Sequence, residues 1–212
     1  MTNVGLIIDF PPEKQSEVRI SSVLSSRVIS ETPFNRNAVY GVLAKVWANN
    51  LDFQVIELET NLYAISFASE FDINYVLEQS AWSIDGYLFN LKRWEPNCSL
   101  CDIDFSLASF WVQAHGLNLD QLTYNNAFVA GRSIGVLETA ENPVVNNLLG
   151  RAFLRFGVQI DVTKPLVAGF RSNGKWIDLK YDRLSDYCCK CGRLGHSEVL
   201  CGEEKVMSLV DP

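Results

Sequence analysis

FQVIELETNLYAISF, residues 53–67, decides the fold. Phe53, Val55 and Leu58 are read as facing one way in its first run, and Tyr63, Ile65 and Phe67 alternate in the second. A period of two is the mark of a half-buried strand, and Asn61 between the runs supplies a tight turn. Upstream, SVLSSRVISE (22–31) reads as a further strand, with Val23, Val28 and Ile29 among small polar residues. Pro33 makes a turn, and Asn35 caps a helix over 36–50 whose Val39, Val42, Leu43, Val46 and Trp47 share one face. Downstream, Phe71, Ile73, Val76 and Leu77 give a helix over 70–80, and Gly86 opens the strand YLFNLKRW (87–94).

The order strand, helix, strand, strand, helix, strand predicts a ferredoxin-like α+β sandwich over residues 21–96. RNA-recognition (RRM) domains share that order, but they stack bases on rings of the third strand. Placing Ile65-Ser66-Phe67 on the corresponding pattern puts Leu62 and Ala64 where those rings belong, so the stacking signal is absent. Tyr63 and Phe67 are read as core residues.

Residues 105–183 form a second small α/β region. FWVQAHG (110–116) reads as a strand and Asp120–Ala130 as a helix carrying Leu122, Ala127, Phe128 and Val129. SIGVLE (133–138), AFLRFGVQIDV (152–162) and KWIDLKY (175–181) read as strands, with Gly169–Gly174 as the loop before the last. Residues 1–20, polar and acidic with Pro11-Pro12, read as a disordered lead-in, and 202–212 as an acidic tail.

The segment that carries chemistry is DYCCKCGRLGHSEVLC, residues 186–201. Cys188, Cys191, His196 and Cys201 stand in the spacing C-x2-C-x4-H-x4-C, a knuckle of three thiolates and one imidazole. Four such ligands close a tetrahedron around one Zn2+ with no open position, which makes the site structural and not catalytic. Gly192 and Gly195 fall where the chain bends around the metal. Cys189 is the spare thiol, since a frame beginning there leaves a single residue before Cys191.

Composition sets the outer limits. The chain has 212 residues, 48% of them hydrophobic and 20% charged, an ordinary globular balance. No apolar run reaches the eighteen or so residues of a membrane span. Six cysteines behind an N-terminus without a basic signal region point to a reducing, intracellular setting, nucleus or cytoplasm. The net charge of −7 argues against a strongly basic nucleic-acid binder, but it is unevenly spread. Residues 1–163 carry ten basic and eighteen acidic side chains, whereas 164–201 carry seven basic and four acidic. Attraction to phosphate is therefore local to the C-terminal third, and sensitive to salt.

The knuckle resembles the zinc knuckle of retroviral and retrotransposon Gag-like proteins. With AWSIDGYLFNLKRWEPN (81–97), FWVQAHGLNLDQLTYNNAFVAGRSIGVL (110–137), FGVQIDVTKPLVAGF (156–170) and KYDRLSDYCCKCGRLGHS (180–197), the resemblance extends over residues 20–201 to the Gag-like proteins of plant LINE-type (non-LTR) retrotransposons. It implies a non-catalytic protein that binds single-stranded RNA or DNA and self-associates. One departure concerns stacking. Such knuckles place an aromatic ring after the first Cys, where this chain has Cys189. Tyr187 with Leu194 would have to provide the platform, or Tyr187 packs on the adjoining strand. Lys190 and Arg193 flank the metal loop and are the candidate phosphate contacts, against a reading as plain surface charge.

Other features yield less. Cys98 and Cys101 form a second C-x2-C, set in a loop after Pro96 and beside Asp102 and Asp104, whose charge raises a thiol pKa. A redox role is the distant third reading of this chain, behind nucleic-acid binding and a protein–protein interaction module in which the knuckle docks a protein. His115 is the one other histidine and reads as a local hydrogen-bonding group, and the five tryptophans read as core. No G-x-S-x-G turn, P-loop or dinucleotide fingerprint occurs, so no enzyme, small-molecule substrate or membrane partner is expected.

Overall fold

The computed structural model describes residues 22–47, 51–94, 98–184, 187–188 and 190–202, so the expected lead-in, Cys189 and nearly all of the acidic tail lie outside it. In the first half the alternating and helical patterns become β1 (Val23–Val28), α1 (Arg36–Val46), β2 (Phe53–Glu59), β3 (Leu62–Phe67), α2 (Glu70–Glu78), β4 (Trp82–Ile84) and β5 (Tyr87–Arg93). Both helices start on a side-chain cap: Asn35 accepts from the Ala38 amide and Ser69 from the Asp72 amide. The strands pair antiparallel in the order β2-β3-β1-β5-β4, a ferredoxin-like sheet with one extra edge strand. Asn61 turns the β2–β3 hairpin at φ 60°, and its side chain does more. Its amide donates to the Ser30 and Thr32 carbonyls and accepts from the Phe34 amide, tying the β1–α1 connection to the hairpin.

Tyr63 shows how this first core is held. Its ring is fully buried, and its hydroxyl donates to the Phe34 carbonyl at the entry to α1. Burial first, and then the Glu57 carboxylate, push the phenol up to about 12 from its usual 10.0. A raised acid pKa means the folded state favours the protonated phenol. This contribution to stability is therefore complete below pH 10 and fades as the pH rises towards 12. Tyr63→Phe is expected to lose about 1 kcal/mol at neutral pH, measured by urea unfolding. The difference from the parent should shrink above pH 10, and a gap that stays constant to pH 12 would contradict the assignment.

The second half builds β6 (Leu107–His115), α3 (Tyr124–Ile134), β7 (Val136–Ala140), a short β8 (Val144–Val145) and β9 (Leu148–Leu149) ribbon, β10 (Leu154–Asp161), β11 (Gly169–Ser172) and β12 (Lys175–Tyr181). Burial alternates along all of β6, with Ala108, Phe110, Val112 and Ala114 pointing inward. The five main strands pair antiparallel in the order β7-β10-β6-β12-β11. Matched in chain order, this is the topology of the first sheet, although no repeat is visible in the sequence. One part is missing. Where α2 links β3 to β4 in the first unit, an extended strap, residues 162–168, links β10 to β11.

Several boundaries differ from expectation. The helix expected over 120–130 runs from Tyr124 to Ile134, because Thr123 caps it and Leu119–Gln121 forms a separate 3-10 turn. Residues 169–172, expected as loop, are strand β11, with the turn confined to Asn173 and Gly174, both at positive φ. The tryptophans divide. Trp47 and Trp82 are core, at 4% and 5% exposure, while half-buried Trp111 faces a cleft between the sheets with the Arg155 guanidinium 4.0 Å above its ring.

The second unit also covers the outer face of the first sheet. Asn90 of β5 donates to the Phe105 and Leu107 carbonyls, and Arg27 of β1 lies 5.6 Å from the Phe105 ring centre. Leu62 and Ala64 are 0% and 6% exposed, so the positions where an RRM would stack bases are sealed as well as ringless. Among the described residues, no helix is long and apolar enough to cross a membrane.

Candidate metal centre and nucleic-acid interface

The knuckle folds by local hydrogen bonds. Cys188 receives the Gly192 amide on its carbonyl at 2.7 Å and donates its own amide to the Arg193 carbonyl at 2.9 Å, which closes the first metal turn. Gly192 and Gly195 sit at φ 74° and 98°, where a Cβ would be strained. A 3-10 turn over Glu198–Leu200 then returns the chain, with the Cys201 amide bonding to the Glu198 carbonyl.

These turns bring one ligand atom each from Cys188, Cys191, His196 and Cys201 within 4.8 Å of one another, and Cys191 Sγ stands 3.4 Å from His196 Nε2. Around a tetrahedral zinc, neighbouring ligand atoms stand roughly 3.5–3.8 Å apart, so the cluster needs only a small contraction to close on the ion. The donor set fits, and the four residues are positioned to bind one zinc ion. Burial pushes the Cys188 thiol up. The Cys191 and Lys190 amides and the Cys201 and Cys191 thiols, all donating to its sulfur, outweigh that and bring it down to about 7 from 9.0. His196 presents Nε2 to the sulfurs, and its Nδ1 lies 3.9 Å from the Glu31 carboxylate of the first unit. That negative charge favours a proton on Nδ1 and leaves Nε2 free for the metal.

The knuckle is docked against both sheets. The Glu31 amide donates to the Gly195 carbonyl at 3.1 Å, and the Leu166 amide of the strap donates to the Gly192 carbonyl at 2.8 Å. Arg193 reaches the Thr163 carbonyl at 2.6 Å. This arrangement alters how the four candidate contact residues stand. Leu194 is 7% exposed and belongs to the second core, so it offers no open platform. Tyr187 is half-buried against the same core. Lys190 donates to the Cys201 carbonyl, and Arg193, though bonded, remains exposed.

The outward apolar surface is elsewhere. Val199 and Leu200, between His196 and Cys201, are 93% and 64% exposed. The legible signal was an apolar pair in a metal loop too short to own a core, so that at least one face must stay open.

The second C-x2-C gathers no ligands. The one Cys/His/carboxylate cluster with metal-binding geometry among the described residues is the knuckle. Cys98 and Cys101 are not joined by a disulfide. Burial, then the Glu59 carboxylate beside it, raises the Cys101 thiol, with Asp102 adding least, so little thiolate is available for exchange. His115 bonds to Gln113 at 2.9 Å and stacks on Phe153, a local role as expected.

Two protein families match the chain. Residues 17–101 match the family described as a domain of unknown function (DUF4283), and residues 160–203 match the zinc knuckle family. The first match covers the first sheet unit. The second begins at the end of β10 and so takes in the strap, β11 and β12 as well as the four ligands. The chain thus joins a DUF4283 domain to a CCHC zinc knuckle. No curated protein matches it in sequence.

Solved structures with a similar outline include a chain from the ternary complex of rna15, hrp1 and anchor RNA in 3' processing, at 11% identity and TM-score 0.31, covering 76% of this chain and 98% of that one. The RNA-binding domain of Hrp1 in complex with RNA is similar at 13% identity and TM-score 0.29, with 77% and 97% covered. The first two RRM domains of the yeast poly(U)-binding protein Pub1 follow at 10% and 0.26, with 76% and 98% covered. At scores this low the fold rests on the strand order and register given above.

Proposed function

We propose that this chain is a non-catalytic, intracellular zinc-knuckle protein of the Gag-like kind encoded by plant LINE-type retrotransposons, and that it binds single-stranded nucleic acid, RNA first. The observation that carries the reading is the closed Cys188–Cys191–His196–Cys201 site with an open face beside it, where Val199 and Leu200 stand exposed on the same short loop as Lys190 and Arg193. Exposed apolar side chains and cations carried on one short loop suit an unpaired base and its phosphate. The RNA-binding roles of Hrp1 and the poly(U)-binding protein are properties of those proteins and lend the reading only a direction.

The test is binding of a fluorescein-labelled single-stranded RNA, followed by anisotropy at several salt concentrations. Val199→Ser with Leu200→Ser is expected to weaken binding about tenfold with zinc retained, since covering an exposed Val or Leu side chain contributes about 1.5 kcal/mol through apolar burial. His196→Ala is expected to abolish it. Equal binding by all three proteins, or none by the parent, would sink the reading.

The inward turn of Leu194 and Tyr187 favours one alternative, a knuckle that docks a protein. Loss of RNA binding at every salt concentration would leave that alternative standing. Self-association belongs to the same proposal and has a surface to draw on. The β8–β9 ribbon exposes Val144, Val145, Leu148 and Leu149, at 37% to 72%. Sedimentation equilibrium decides this part, and a monomer at every concentration removes it.

A further inference from the structure

The two sheets share a topology but not a cover. In the first unit α1 and α2 both lie over the sheet, and α2 buries Ile73 and Val76 against it. In the second unit α3 packs on β7 and β10, and among the described residues no helix covers β6 and β12. Even so, Phe110 and Val112 of β6 and Ile177 and Leu179 of β12 are buried, at 7% exposure or less. They share one core with Leu166 of the strap and Leu194 of the knuckle.

The strap is tied along β12 and at the start of β6. The Val162 amide donates to the Ser106 carbonyl, the Tyr181 hydroxyl to the Val167 carbonyl, and the Leu179 amide to the Ala168 carbonyl. The knuckle is in turn pinned to the strap through Leu166 and Thr163, and to the first unit through Glu31. The fit is close, because a Cβ on Gly192 would stand 3.2 Å from Pro165 and one on Gly195 would stand 3.7 Å from the Ile29 carbonyl oxygen.

We infer that the zinc knuckle and strap stand in for the missing helix, so that metal binding completes the core of the second sheet and clasps it to the first. A loop of this size owns no core, and its fold depends on the metal. Metal loss would therefore free Leu194, uncover the inner faces of β6 and β12, and release the bridge to Glu31. The coupling is reciprocal: if zinc strengthens docking by some factor, docking strengthens zinc binding by the same factor. The clasp needs no nucleic acid and holds or fails apart from the RNA-binding reading.

The test follows backbone hydrogen exchange in the full chain before and after zinc is stripped by a high-affinity chelator, alongside zinc affinity by chelator competition. Stripping is expected to raise exchange at least tenfold in residues 107–115 and 175–181 and around 29–31, while the β2–β3 hairpin is unchanged. Leu194→Ala and, more mildly, Arg193→Ala keep all four ligands. Both are expected to bind zinc more weakly, Leu194→Ala by about tenfold, and to exchange faster in the same strands. If stripping raises exchange only within 187–202, or if both variants hold zinc as the parent does, the clasp is overturned.

Discussion

Cys191→Ser is expected to leave the purified chain without zinc, against one ion per chain in the parent, as measured by elemental analysis. Cys191 is 2% exposed and its sulfur lies 3.4 Å from His196 Nε2, so a hydroxyl there replaces a soft anionic ligand with a neutral, weaker one. Structural zinc in finger-like sites contributes on the order of 10–16 kcal/mol, a larger sum than any other single interaction in this chain can supply. Acid should achieve the same result without mutation, because protons compete with the metal for all four ligands. The hydrogen bonds at its sulfur bring the Cys188 thiol down to about 7 from its usual 9.0. The stabilisation carried by its thiolate is therefore present above pH 9 and is lost as the pH falls through about 7. Zinc released to a chromophoric chelator should be slight at pH 8 and complete near pH 5. Retention of one zinc by Cys191→Ser, or equal affinity at both pH values, would falsify the assignment of these ligands.

The metal centre was legible because its information is local: four ligand types at fixed spacing, with glycines at two bends, need no knowledge of the rest of the fold. Its surroundings were not. Leu194 reads as an exposed apolar residue in a polar loop, and only its burial in the core of the second unit reveals it as core. For Val199 and Leu200 the shortness of the metal loop signals that some apolar side chain must stay open, but only the 3-10 turn shows that it is these two.

The first sheet followed from alternation and from local signals, the Asn35 cap and the Asn61 turn, whereas the bonds of the Asn61 side chain to Ser30, Thr32 and Phe34 are long-range and leave no trace in the sequence. The second sheet was read as a set of strands and a helix, but its kinship to the first lies in pairing order, which leaves no periodic trace in sequence. Where α2 would have announced the repeat, the chain uses the strap of residues 162–168, whose Pro165 and Lys164 suggest only a loop.

The helix expected to stop at Ala130 exposes a further reason for misreading, and it leads to the second large effect. Gly131 lies inside α3, and a Cβ there would stand 2.5 Å from Leu137 Cδ1 and 3.2 Å from Phe156 Cδ2. Glycine is present because helix and sheet approach closely at that point, although a glycine near a helix end reads as a stop. Phe156, fully buried in β10 beneath it, is the side chain that sets this spacing. Phe156→Ala is expected to cost about 3–5 kcal/mol, a large share of the 5–15 kcal/mol typical of whole proteins, and to lower Tm by about 10 °C. Gly131→Ala alone sets two effects in opposition. Helix propensity favours alanine by about 1 kcal/mol, while overpacking costs about 1–3 kcal/mol, so a net loss is expected. Combining the two should reverse that sign, because Leu137 can swing into the space the ring vacates and admit the new methyl group. Urea unfolding of the four proteins reads the coupling directly. If Gly131→Ala shifts stability equally in both backgrounds, the close approach is not what keeps glycine at this position.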